Sequence, residues 1–89
     1  MLFVKTRKFN TNSHLESEDF SPIYTDSAED AISAVLEDIV SDVKRTVESY
    51  GTTSVVENDM SEIRVFKDEA CSELLAEKTV RDVEAYRFV

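Results

Sequence analysis

The segment His14-Leu15-Glu16-Ser17-Glu18-Asp19 holds the chain's single histidine beside three carboxylates. In an extended backbone residues two apart share a side. His14, Glu16 and Glu18 would then point one way and, with Asp19, offer donors to a cation. One histidine rules out a two-histidine metal site within one chain. Calcium or magnesium would need a preorganised oxygen cage, and no glycine-containing calcium loop is present. A solvated loop is favoured over a metal centre, and neither a metal nor a cofactor is expected. Cys71 is the sole cysteine. Near Leu74 and Leu75 it reads as a small buried apolar residue rather than a nucleophile. Paired carboxylates can do acid–base work on a glycosidic bond. With 19 Asp and Glu, however, some pair lies at any required distance, and the pattern selects none. Ser17 and Ser21 could accept phosphate, in contexts too short to be specific. No catalytic residue is assigned, and the chain is expected not to be an enzyme.

Glycine and proline occur once each, as Gly51 and Pro22. Phosphate-cradling loops and the dinucleotide fingerprint need several clustered glycines, so both are excluded. A lone cysteine forms no internal disulfide and fits a reducing compartment. The N-terminus MLFVKTRKFN has no apolar core of a signal peptide, and no run is long and apolar enough for a membrane helix. A cytoplasmic setting is expected.

Charge is the next source of function. The formal net charge is -9, with 19 acids against 10 bases. Between Lys8 and Lys44 there is no Lys or Arg, and nine acids: Glu16, Glu18, Asp19, Asp26, Glu29, Asp30, Glu37, Asp38 and Asp42. The rest of the chain balances, so the whole surplus comes from this stretch. Such a field repels nucleic-acid phosphates and anionic membranes, and it attracts a basic protein surface. The plain alternative is a solvated helix face with a solubilising loop. Imitation of DNA is the extreme form of the charged reading. A helix of roughly 24 residues is about 36 Å long, and duplex DNA would carry about 21 charges over that length. Nine carboxylates make a thin mimic; two copies side by side would come closer.

These groups must be positioned by an α+β fold. One long amphipathic helix would pack on a small, mostly antiparallel sheet, in the order β-α-β-β-(short α or β)-β, as a single domain over 1–89. Residues 2–9 read as a strand, with Leu2, Val4 and Thr6 on one side and Phe3, Lys5, Arg7 and Phe9 on the other. Residues 10–25 have no period and read as a long loop. Its DFSPIY run places Phe20, Ile23 and Tyr24 either as docking anchors or, the favoured reading, as a lid on the core over the helix N-terminus. The helix starts at Asp26 or Ser27, where Ser27 and Asp30 resemble a capping box. Ile32, Val35, Leu36, Ile39, Val43, Val47 and Tyr50 form its apolar stripe, and Gly51 stops it. Residues 53–57 and 62–67 read as a hairpin. The segment 69–78 is open between helix and strand, and the end of the chain reads as a strand.

A compact domain of this size has a radius of gyration of roughly 12 Å. If spherical it would be shorter than the helix, whose last turn would overhang. Val47 and Tyr50 are therefore the candidate contacts for a homodimer. The functional expectation is a small acidic protein-binding protein, an inhibitor or modulator of a basic, nucleic-acid-binding protein. A DNA-mimic-like viral blocker is one setting. Its partner-binding residues would be Glu16, Glu18, Asp19, Asp26, Asp30, Glu37, Asp38 and Asp42. A structural subunit of a homo-oligomer is one alternative; a small enzyme or ligand-binding domain with a site at a dimer interface is the second.

Overall fold

The computed structural model describes residues 1–51 and 59–86. The chain is α+β. Strands β1 (Leu2–Phe9) and β2 (Leu15–Ile23) are followed by helix α1 (Ala28–Tyr50), strands β3 (Met60–Phe66) and β4 (Leu74–Arg81), and a short helix α2 (Asp82–Tyr86). The four strands form one antiparallel sheet in the order β2-β1-β3-β4. Helices α1 and α2 lie on one side of it.

The core follows from two periods that meet. On β1, Leu2 and Val4 are buried; on β3, Ile63 and Val65 are fully enclosed. They meet Ala31, with Ile32, Val35 and Ile39 of α1 packed around them. A second cluster joins Val43 of α1 to Val80 of β4 and Ala85 of α2, with Leu36, Ile39 and Val40 alongside. From Ile32 to Val43 the helix stripe expected from the sequence is the packed face, while Tyr50 at its end is exposed; Asp30, Ser33, Glu37, Ser41, Lys44 and Glu48 on the opposite side are exposed. The Ser27 hydroxyl accepts the backbone N–H of Asp30 at 3.2 Å, capping the helix. At the other end Gly51, at φ +89°, takes a conformation that L side chains rarely adopt, and its N–H donates to the Val47 carbonyl at 2.8 Å.

Four expectations are corrected. The loop expected over 10–25 is a turn followed by β2. Asn10 makes the turn: its side-chain oxygen accepts the N–H groups of Asn12 and His14 at 2.9 and 3.0 Å, and Ser13 sits at φ 62°. The strand was hidden because α1 leaves it uncovered. Residues 15–22 are all exposed, so no burial imposes an apolar alternation. The DFSPIY anchors do not act together. Ile23 packs on the core, Phe20 stacks on Phe3 on the opposite side of the sheet, and Tyr24 is 88% exposed.

The open segment 69–78 resolves as a turn and a strand. The Asp68 carboxylate accepts the N–H groups of Ser72 and Glu73 and the Ser72 hydroxyl, and β4 starts at Leu74. Cys71 is in this turn at φ 57°, half-buried rather than a core residue. The terminal strand expected after it ends at Arg81, where Asp82–Tyr86 turns into α2. Of the expected hairpin, 62–67 corresponds to β3, while 53–57 lies outside the described residues.

Candidate functional site

The sheet has two sides of different character. On the side away from α1, charges form a ladder of ion pairs. Arg7 meets Glu18 at 2.7 Å, with Lys5 at 4.0 Å from the same carboxylate; Arg64 meets Glu62 at 3.0 Å and Glu77 at 3.4 Å. Phe3 and Phe20 stack beside it, centroids 5.9 Å apart. Three cations and three carboxylates balance in charge there, although Glu62 Oε1 and Arg64 Nε, both buried, approach without a well-aligned hydrogen bond.

The other side holds a groove of about 600 Å³ between α1 and the β2 half of the sheet. It exists because α1 packs over β1, β3 and β4 but stops short of β2. On β1 the inward row reads Leu2, Val4, Thr6, Lys8: the core ends after Val4, and the polar remainder becomes groove floor. Beside it β2 contributes Ser17, Asp19 and Ser21; α1 forms the wall with Asp38, Asp42 and Thr46; Ser61, Asp59 and Asp82 close one end. Among the described residues five carboxylates and one cation, Lys8, line it.

The partners of these groups differ. Lys8 Nζ is 3.8 Å from Asp82 Oδ2. Asp59 accepts the Thr11 hydroxyl at 3.1 Å, and the Asp82 N–H donates to the Asp59 carbonyl at 2.8 Å. Asp82 is only 9% exposed. Burial pushes its carboxyl up from the ordinary range; Lys8 opposes this, and the charges of Asp59 and Glu16 add to it. Asp42 touches Arg45 at 3.6 Å, both well exposed. Asp19 and Asp38 have no ion-pair partner among the described residues.

The eight carboxylates expected to bind a partner are dispersed by the fold. Asp19, Asp38 and Asp42 come together across the groove. Glu16 is felt at Asp82, at the groove's end. Glu18 lies on the far side of the sheet, on Arg7. The cause is a bulge: Ser17 pairs with Lys8 but Leu15 with Phe9, so Glu16 is an extra residue and the alternation that would align it with Glu18 breaks. Asp26 meets the N-terminal amine at 3.4 Å. Asp30 and Glu37 are on the exposed back of α1. His14 sits in the turn, apart from the row expected of it. Among the described residues no group of three or more His, Cys, Asp or Glu is placed to hold a metal ion. Val47 is half-buried and Tyr50 is 79% exposed.

Lys8, Asp59, Ser61 and Asp82 escaped the sequence reading. For Lys8 a signal existed, since it continues the inward row of β1 past its apolar part. Asp82 gave none, because the strand expected at the chain end placed it in the wrong element.

Chemically the groove sets carboxylates on two walls, with hydroxyls between them and an open side. No helix among the described residues is long and apolar enough to cross a membrane. Comparison with protein-family models, with curated proteins and with solved structures finds no match to this chain.

Proposed function

We propose that this chain is a protein-binding module, not an enzyme, that engages a basic partner through the groove between α1 and β2. The observation that carries this reading is the five-to-one excess of carboxylates over cations among the described residues lining that groove. Asp19 and Asp38 have no ion-pair partner among the described residues, and a field of one sign speeds encounter with a surface of the other. The partner class is a basic protein, such as one that binds nucleic acid, in a cytoplasmic setting. Blocking that protein's phosphate-binding surface is the mode of action the charge favours. The binding set is narrower than a phosphate-like stripe along the helix, because Glu18 is held by Arg7 and Asp26 does not line the groove.

The test is capture from native cell extract at low and high salt, with wild type beside Asp19→Asn/Asp38→Asn/Asp42→Asn. Basic proteins are expected on wild type at low salt, released by salt and missing from the variant. Equal capture by both chains, or capture of acidic proteins alone, overturns the reading.

A further inference from the structure

We propose that the partner enters as an extended strand that pairs with the outer edge of β2 and carries Lys or Arg at every second position into the groove. This rests on the cation-binding reading above and names the form of its ligand.

Strand β2 has one neighbour, β1, in the described sheet. Its other edge presents backbone N–H and C=O groups that a further strand can pair with. The usable stretch is bounded on both sides. Pro22 lacks an N–H, and the bulge at Glu16 breaks the ladder. Ser17 to Ser21 lies between them, about the usual five-residue length of a strand.

The spacing of the carboxylates suits a strand. Asp38 and Asp42 are one helical turn apart, about 6 Å along α1 at 1.5 Å per residue. Alternate residues of a strand are about 6.6 Å apart. A strand laid beside β2 would therefore send successive inward side chains towards Asp38 and Asp42 in turn. The long stem of lysine or arginine spans β2 to reach them. The β2 residues crossed on the way are Ser17, Asp19 and Ser21, small or acidic and all exposed. Deeper in the same groove Ser61 is 5% exposed. Its hydroxyl has no hydrogen bond among the described residues. That hydroxyl opens onto the groove, where a polar group of an occupant can pair with it.

The same acids choose between partners. A second copy pairing β2 with β2 antiparallel about Asp19 would set the two Asp19 carboxylates opposite each other, and like charges across strands are destabilising. That pairing is disfavoured while a cationic strand is welcomed, which is selectivity by repulsion as well as attraction.

The probe is a synthetic peptide of alternating Lys and Thr, titrated into the full ¹⁵N-labelled chain at low salt. Its controls are two N-methylated forms, one for each parity of the backbone, and an isomer with its lysines in one block. We expect slowed amide exchange within Ser17–Ser21, and a loss of at least about tenfold in affinity for one N-methylated parity, since each methyl removes a ladder hydrogen bond and adds bulk. The Asp19→Asn/Asp38→Asn/Asp42→Asn chain should bind the parent peptide more weakly. If both N-methylated peptides bind like the parent and β2 amides gain no protection, strand addition is wrong while cation binding by the groove stands. If no lysine peptide binds at low salt, both readings fall together.

Discussion

Two carboxyls in this chain are displaced in opposite directions, and each makes a signed prediction. Burial holds the Asp82 carboxyl above its ordinary value, Lys8 at 3.8 Å offsets only part of that, and Asp59 and Glu16 reinforce it. The folded chain therefore binds the Asp82 proton more tightly than the unfolded chain does. Stability rises with pH only where the unfolded state binds more protons; here the folded state does. This group's contribution thus falls as pH climbs from the ordinary value of 3.8 through its raised folded value. Asp82→Asn removes that penalty. It should raise the urea midpoint at pH 7 relative to wild type, with the difference shrinking on acidification towards pH 4 (about the unfolded value). A variant less stable than wild type at pH 7 would mean that the Lys8 pair outweighs burial. Asp68 behaves in the reverse sense. The Ser72 hydroxyl, then the Glu73 N–H, hold its carboxyl below the ordinary value. Its contribution is present above the unfolded value and lost as pH falls through the folded one. Ser72→Ala should move the Asp68 titration, followed by side-chain carboxyl NMR, back up towards the ordinary range.

Helix α1 is the element that decides where the groove opens, so its anchoring can be tested separately from its charge. Losing the Ser27 cap by Ser27→Ala should cost about 1 kcal/mol in equilibrium unfolding. Ile63, fully enclosed between β1, β4 and α1, should cost about 2–5 kcal/mol as Ile63→Ala. A cap loss near zero would indicate that packing alone sets the helix start. The ease of reading α1 in the sequence has the same origin: one face is buried along most of its length, so burial writes a 3.6-residue period into it. Strand β2 has no covering element, and LESEDFSPI carries no period to find. The turn before β4 depends on side-chain acceptance by Asp68 and a positive φ at Cys71, which a helix-favouring run of residues conceals. The site was legible in the same uneven way. Asp19, Asp38 and Asp42 stood out by sign, but which side of the molecule each faces depends on a bulge and on the uncovered strand. Ser61, Asp59 and Asp82 join them only through long-range pairing.

The molecule measures 38 × 25 × 16 Å with a radius of gyration of 13.3 Å. It is elongated, and α1, 23 residues or about 35 Å at 1.5 Å per residue, runs within its long dimension. The expectation of an overhanging last turn came from assuming a sphere. Charge is distributed as unevenly as shape. On the open side of the sheet Lys5, Arg7 and Arg64 balance Glu18, Glu62 and Glu77. Removing three of each sign from 19 acids and 10 bases leaves 16 against 7, so the full -9 resides on the rest of the chain. The groove concentrates five of those acids, and their mutual repulsion opposes folding at the same place where it would attract a partner. Asp38→Asn/Asp42→Asn separates the two effects. Asp and Asn have similar helix propensity, and the Asp42–Arg45 contact is an exposed pair that contributes little. The double variant should be more stable than wild type at low salt, by up to about 0.5 kcal/mol per exposed position. The advantage should fade as salt shortens the screening length from about 30 Å at 0.01 M to about 3 Å at 1 M. Lysine-peptide binding should weaken in the same variant and fade over the same salt range in wild type. A stability difference that persists at high salt would assign the effect to local contacts of Asp38 and Asp42. Parallel decay of both quantities would identify one field as the source of the strain and of the binding.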